Sequence, residues 1–176
     1  MIFDVRGEKM SKTRRLATLS VLIALGMIFS YIESLVPAFV AIPGVKLGLA
    51  NTVTVFALYM LGIPDAALVS LVRVILSSLL FGNTVSLLYS LVGAALSLAV
   101  MILCARLLRL SPIGVSALGG VFHNLGQTLT AALVLESLGV FFYFPVLIIS
   151  GTLAGIVIGT VAGIITKRLD TLLKKR

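Results

Sequence analysis

The sequence predicts an all-α, polytopic membrane protein with six transmembrane helices. Hydrophobic residues make up 60% of its 176 residues and charged residues only 11%, and the mean hydropathy is +1.21. A soluble domain is typically about half apolar and about a quarter charged. Several apolar runs approach the ~20 residues that a helix needs to cross a ~30 Å hydrocarbon core. They are too continuous for the alternating strands of a barrel.

Turn-forming residues divide the apolar sequence into six predicted spans. Breaks fall at Pro37, at Pro43-Gly44, at residues 62–65, at Gly82-Asn83, at Ser111-Pro112 and at residues 139–145. Proline and glycine interrupt helices, so these positions are expected to be loops. The predicted spans are 16–36, 47–63, 65–81, 85–108, 115–137 and 141–165. We therefore expect one six-helix domain over residues 16–168, between basic tails at 1–15 and 169–176.

The positions of the charges predict the topology. Of the 14 lysines and arginines, 12 precede the first span, follow the last one or lie at the end of the fourth span and in the loop after it, leaving Lys46 and Arg73. Loops rich in lysine and arginine stay in the cytoplasm, so both termini are expected there. The net charge of +8 then indicates contact with anionic membrane lipid, and it does not imply a nucleic-acid partner.

A short polar run, His123-Asn124-Leu125-Gly126-Gln127, interrupts the fifth span and contains the only histidine. Polar groups at membrane depth are costly and usually face a protein interior or a watery cavity. Asn124 and Gln127 are the favoured ligand contacts, because neutral amides orient a ligand without the cost of a buried charge. The alternative is interhelical hydrogen bonding, at about 0.6 kcal/mol per bond.

Arg73 and His123 are predicted to lie at matching depth. Each lies eight residues beyond the cytoplasmic start of its span, at Asp65 and Val115 respectively, which corresponds to about 12 Å along a helix. Contact or water-mediated coupling between them follows if the third and fifth spans are neighbours. Both residues are therefore candidates for a structural or coupling role.

The first outer loop supplies a second group of candidate residues. Lys46 is the only cation predicted on the outer side, and Asn51 follows about one helical turn later. Lys46 either contacts an anionic group of a ligand or is a solvated loop charge. Glu33 and Glu136, near outer helix ends, either receive a ligand cation or extend to the membrane interface.

Asn83 and Tyr89 belong to the same predicted outer layer. Tyr89 has an alternative place in an interfacial aromatic belt with Tyr31 and Tyr143.

Small residues recur at helical spacing on three spans and predict close helix packing. The sixth span carries one every four residues, at Gly151, Gly155, Gly159 and Gly163, and packing within the chain is the favoured interpretation. The fourth span has a related strip at Ser86, Ser90, Gly93 and Ser97. The first span has a small face at Ala17, Ser20 and Ala24, which is a candidate docking surface for a second membrane protein.

Motifs for catalysis and metal binding are missing from the sequence. There is no phosphate-binding GxxxxGK loop, no HExxH, no CxxC and no aspartate-rich motif, and only six acids occur in the whole chain. Carboxylates are the usual ligands of Mg²⁺, and the single cysteine, Cys104, excludes an internal disulfide. We therefore expect no enzymatic activity, no cofactor and no metal.

Five strings resemble a small bacterial membrane family, the Gx transporter family, also called heptaprenyl diphosphate synthase component I. They are PGVKLGLAN (43–51), LVRVILSSLLFGN (71–83), LYSLVGAALSL (88–98), GVFHNLGQ (120–127) and FPVLIISGTLAGIVIG (144–159). This family is similar to the substrate-binding S components of energy-coupling factor (ECF) vitamin transporters. The resemblance implies six helices in the bacterial cell membrane with cytoplasmic termini. It also implies a vitamin-like ligand near the outer face, a T component and two ATPase subunits.

Carried onto this sequence, the resemblance implies ligand contacts in two places. They are the loop between helices 1 and 2, at Lys46 and Asn51, and helices 4 to 6. The implied pocket residues there are Asn83, Tyr89, Asn124, Gln127 and Glu136. The docking helix of S components usually carries AxxxA, where this sequence has Ser20 and Ala24 at that spacing.

A second hypothesis is a non-catalytic accessory of isoprenoid-quinone synthesis or of flavin- and quinone-linked electron transfer. It would hold a lipid-linked diphosphate with Arg73 and Lys46. A channel is a third hypothesis, which the absence of a charged pore ring disfavours.

Overall fold

The fold is built from six α-helices. A computed structural model of the protein describes residues 11–35 and 50–174. The helices are α1 (Lys12–Leu35), α2 (Asn51–Met60), α3 (Ile63–Phe81), α4 (Thr84–Arg106), α5 (Pro112–Val134) and α6 (Phe144–Lys174), with a 3₁₀ helix at Leu138–Tyr143 before α6. The described residues contain no strand. The predicted all-α, six-helix membrane fold is confirmed.

Four of these elements are long and apolar enough to cross a membrane: α1, α3, α4 and the 3₁₀ helix with α6. Helix α5 is as long as α4, with 23 residues, but His123, Asn124 and Gln127 lower its hydropathy. It packs against α4 on one side and α6 on the other. The long helix that carries the polar run therefore has a packed helix on each side.

Helix α2 is shorter than the predicted span. It has 10 residues, about 15 Å of helix, where the prediction was 47–63. Residues 47–49 lie outside the described part of the chain. At the other end Gly62 adopts a φ of 99°, a conformation that glycine takes easily, and α3 begins at Ile63, two residues earlier than predicted. Asn51 therefore lies near the middle of the bundle rather than at its surface.

Turn residues cap the helices as their chemistry predicts. The Asn83 side chain accepts a hydrogen bond from the Ser86 backbone N–H at 2.8 Å and begins α4. The Ser111 hydroxyl does the same for Gly114 at 3.4 Å, with Pro112 as the first residue of α5. Helix α6 continues to Lys174, beyond the predicted end of the last span at 165.

One end of the bundle collects the exposed cations, and we call it the basic end. The Tyr59 hydroxyl, near the end of α2, donates to the Leu110 carbonyl between α4 and α5 at 2.8 Å. The start of α1 meets the start of α3 there, through an ion pair between Arg15 and Asp65. The exposed cations at this end are Lys12, Arg14, Arg106, Arg109, Lys167 and Arg168.

Helices α4, α5 and α6 form a second half that is packed through small residues. Gly126 of α5 lies against Gly93 of α4, where an added Cβ would come within 2.8 Å of the Gly93 Cα. On the other side of α5, a Cβ on Gly155 would lie 2.5 Å from the Ala117 Cα. Both distances are far below van der Waals contact, so these backbones approach as closely as glycine allows.

Helices α1, α2 and α3 form the first half, which is packed differently. Its apolar core includes Leu19, Leu22, Val53 and Val69, but Arg73 also lies inside it, on α3. Helix α2 joins the two halves by packing on α5 and α6, and α3 packs on α4. The seam between the halves is therefore lined by α2 and α3 on one side.

Candidate functional site

A small cavity lies at the seam, between α2, α4, α5 and α6. It encloses about 10 Å³ and adjoins four polar side chains, those of Asn51, Ser116, His123 and Asn124. A cavity needs about this volume to hold one water molecule. The polar run therefore faces the protein interior, and the space next to it accommodates a water but no larger solute.

Asn124 links α5 to α6. Its side-chain Nδ2 donates to the Leu147 backbone carbonyl at 2.8 Å. The backbone carbonyl of Asn124 accepts from the Thr128 hydroxyl at 2.8 Å. A Cβ on Gly151 would lie 2.8 Å from the Asn124 Nδ2, so the amide fits because residue 151 has no side chain. Asn124 therefore serves helix packing first, as the structural alternative for this residue predicts.

Gln127 differs from Asn124. Its side chain is 9% exposed, and among the described residues its carboxamide makes no hydrogen bond. The Cγ lies close to α4, 3.0 Å from where a Cβ on Gly93 would be. Its polar atoms are not among the fully enclosed atoms without a partner in the described residues. The Gln127 carboxamide therefore retains some accessible surface.

His123 lies on the α4 side of α5. It is buried, and its ring Cε1 would lie 3.2 Å from a Cβ on Gly93. The ring lines the cavity together with Asn51. Its position is one helical turn closer to the basic end than Gln127.

Arg73 reaches the cavity wall through Asn51. Its Nη2 donates to the Asn51 Oδ1 at 3.1 Å, and its aliphatic stem lies against Gly26 of α1, 2.8 Å from where a Cβ would be. Helix α3 packs on α1, α2 and α4, whereas α5 packs on α2, α4 and α6. The third and fifth spans are therefore not main packing neighbours, and Asn51, which accepts from Arg73, lines the same cavity as His123.

The other predicted ligand residues lie away from the cavity. Asn83 is exposed and caps α4, Tyr89 is half-buried on α4, and Glu136 is exposed in the turn after α5 with a φ of 48°. Lys46 lies outside the described residues. The structure brings Asn51, His123 and Asn124 together, with Gln127 one turn beyond them.

The predicted packing and docking residues occupy different surfaces. Gly151, Gly155 and Gly159 face α5, and Gly163 lies beside Pro112. Ala17, Ser20 and Ala24 are all exposed on α1, where no other described helix covers them.

An apolar groove opens between α3 and α4. Its volume is about 460 Å³, and one polar residue, Ser70, contributes to its wall. The lining residues are Ala67, Ser70, Leu71, Val74, Leu91, Val92, Ala94, Ala95 and Leu98. We call it the α3–α4 groove, and several of its side chains, such as Leu71 and Val92, are exposed on the outside of the bundle.

The pairing of Arg15 with Asp65 was missing from the sequence-based prediction. Asp65 is 0% exposed, and Arg15 donates to its Oδ1 from Nη2 at 2.5 Å and from Nε at 2.9 Å. The signal was present: Asp65 is an acid in the first turn of α3, at the same membrane end as the cations before α1. Among the described residues no three His, Cys, Asp or Glu side chains cluster as metal ligands would.

Comparison with known proteins identifies the family. The model of the family described as heptaprenyl diphosphate synthase component I matches residues 22–165. The chain belongs to this family. The match runs from α1 into α6 and includes Asn51, Arg73, His123, Asn124 and Gln127. No curated protein and no solved structure matches this chain.

Proposed function

We propose that the chain is a membrane-embedded substrate-binding subunit of the ECF S-component type, without catalytic activity of its own. It captures a small vitamin-like or cofactor-precursor molecule. The observation that carries this proposal is the Gln127 carboxamide, which makes no hydrogen bond to the described residues although the residue is only 9% exposed. Its polar atoms are not among the fully enclosed, unpartnered atoms of the described residues, so its donors and its acceptor are open to a ligand.

The surroundings of Gln127 suit a binding role. A carboxamide offers two donors and one acceptor, so it orients neutral or anionic polar groups. Asn124 and its bond to Leu147 hold α5 against α6 one turn below, and Gly93 lets Gln127 lie against α4. The ligand site then has a rigid wall formed by α4, α5 and α6.

The basic end of the bundle indicates how the chain is oriented in the membrane, and the exposed face of α1 indicates where a partner docks. The basic end faces the cytoplasm under the positive-inside rule, so Gln127 is reached from the outer side. The exposed small face at Ala17, Ser20 and Ala24 is the proposed docking surface for a T component with two ATPase subunits. Lys46 stays a predicted contact for an anionic ligand group, and Lys46→Ala should weaken binding at low salt.

The test is ligand-dependent stabilisation of the purified full chain across a panel of vitamins, flavins and quinone precursors. A molecule that binds the folded protein raises its unfolding temperature by mass action. We expect at least one panel member to do so, with the effect lost in Gln127→Leu and kept in Thr128→Val. Thr128 is a matched control, because its hydroxyl bonds to the backbone of its own helix. A panel without any stabilising molecule contradicts the proposal.

A second candidate function is a membrane accessory of polyprenyl diphosphate synthesis, which associates with a catalytic synthase component. Two observations favour it: the description of the family and the α3–α4 groove, whose apolar walls face the membrane. An isoprenoid chain is a hydrocarbon and gains from burial in such a groove.

Filling the groove tests this second function. Ala95 and Ala99 are both exposed and lie one turn apart on α4, but only Ala95 lines the groove. Ala95→Phe should weaken binding of farnesyl diphosphate, and Ala99→Phe should leave it unchanged. Equal affinity in the two variants would remove the groove from consideration.

A further inference from the structure

Arg73 is a buried charge with very little compensation. Its side chain is 6% exposed, and it donates one hydrogen bond, from Nη2 to the neutral amide of Asn51. Its Nε has no hydrogen-bond partner among the described residues. A guanidinium has five N–H donors, and buried charges in proteins are ordinarily paired.

A purely structural role does not account for these contacts. An arginine that ties helices together donates to backbone carbonyls, whereas Arg73 donates to none in the described part of the chain. Glu33 on α1 also attracts it electrostatically. One turn beyond Arg73, the Ser77 hydroxyl donates to the Val74 carbonyl at 3.3 Å.

The edge of the guanidinium that carries Nε and Nη2 has a specific chemistry. The Nε and Nη2 groups point to the same side of the planar guanidinium and bind carboxylate or phosphate as a two-pronged fork. Here one N–H of Nη2 donates to Asn51, and the Nε N–H donates to none of the described residues. Gly26 leaves room for the stem of Arg73 against α1, so the charged group is held in the protein interior.

We infer that Arg73 binds the anionic group, carboxylate or phosphate, of the molecule that the chain captures. The inference rests on the proposed function and specifies the ligand as an anion. Asn51 connects the two places, since it accepts from Arg73 and lines the same cavity as Asn124. A ligand that contacts both Arg73 and Gln127 therefore has to part the two halves at the seam, because the cavity there encloses only about 10 Å³.

The test uses the full chain in lipid nanodiscs with three probes at matched ionic strength: acetate, pyrophosphate and farnesyl diphosphate. We expect at least one to raise the unfolding temperature of the wild type, with affinity reduced about tenfold or more in Arg73→Gln. Arg73→Lys should keep part of the effect, because it retains the charge but loses the fork. Arg106→Gln, at an exposed cation, controls for general attraction of anions.

The probes separate the sources of the anion. Stabilisation by acetate alone indicates a carboxylate, equal stabilisation by both diphosphates indicates a soluble phosphate, and a preference for farnesyl diphosphate indicates a lipid-linked one. The inference is overturned if no probe stabilises the wild type. It is also overturned if Arg73→Gln, or Arg73→Lys should the former not fold, responds to the probes as Arg106→Gln does.

The outcome is distinguishable from failure of the proposed function. If a panel molecule depends on Gln127 but not on Arg73, the proposed function stands and the anion site is wrong. If the probes depend on Arg73 while no panel molecule depends on Gln127, the anion site stands and the proposed uptake function is wrong.

Discussion

The two halves of the bundle are held together by different physics. In α4–α6, backbones meet at Gly93, Gly126 and Gly155, where no side chain fits. In α1–α3, the distinctive contacts are polar: Arg15 with Asp65 and Arg73 with Asn51. Where helices meet at glycines, the distance between their backbones is fixed, because protein interiors are close-packed and resist the insertion of atoms. The second half is therefore suited to be a fixed wall, and the first half carries the charges.

The largest expected effect comes from adding one methyl group to the second half. Gly155→Ala places a Cβ 2.5 Å from both the Ala117 Cα and the Ser116 carbonyl oxygen. These are backbone atoms that cannot rotate away, so unfolding free energy should fall by about 1–3 kcal/mol. Thermal unfolding in detergent measures it.

Gly163 provides a matched control on the same helix. A Cβ there would lie 3.8 Å from the Pro112 Cβ, in ordinary contact, and alanine favours helix over glycine by up to about 1 kcal/mol. Gly163→Ala should therefore leave stability unchanged or raise it. If both variants lose the same stability, close approach of α5 and α6 is not what holds the second half.

A smaller effect is expected at the ion pair of the first half. Arg15→Gln leaves the buried Asp65 carboxylate without its partner, and unfolding temperature should fall. Adding Asp65→Asn removes the buried charge and should recover part of the loss, which a double-mutant cycle detects. Lys12→Gln, an exposed cation on the same turn of α1, should change little. A double variant less stable than either single one would contradict this pairing.

The smallest effect is expected at an interhelical hydroxyl. Ser97 donates to the Gly119 carbonyl at 2.8 Å, across α4 and α5, so Ser97→Ala should cost about 0.6 kcal/mol. Ser77, whose hydroxyl bonds within its own helix, is the control and should cost less. A loss at Ser97 as large as that of Gly155→Ala would show that the second half also depends on polar ties.

The sequence predicts what is local in this fold. Caps at Asn83 and Ser111 follow from side-chain chemistry, and the glycine spacing of α6 follows from helical periodicity. The start of α2 does not, because an apolar run has no signal for where a helix begins within it. Asn51 was grouped with the outer loop beside Lys46, although the predicted span 47–63 contained it, and in the structure it lies inside the bundle and bonds to Arg73.

The candidate site was predicted only in part because its decisive properties are tertiary. Asn124 and Gln127 share a carboxamide group, a helix and a depth within one turn. Only the positions of Leu147 and Gly93 decide that one amide is bonded and the other is not. Similarly, 22 residues separate Arg73 from Asn51, and no periodic pattern reports a contact at that distance.

Mass spectrometry of the small molecules that co-purify with the full chain tests the central claim most directly. The account predicts a polar, anionic solute bound to the wild type, absent from Gln127→Leu and retained by Thr128→Val. Recovery of the same molecules from all three proteins, or of membrane lipids alone, would contradict it.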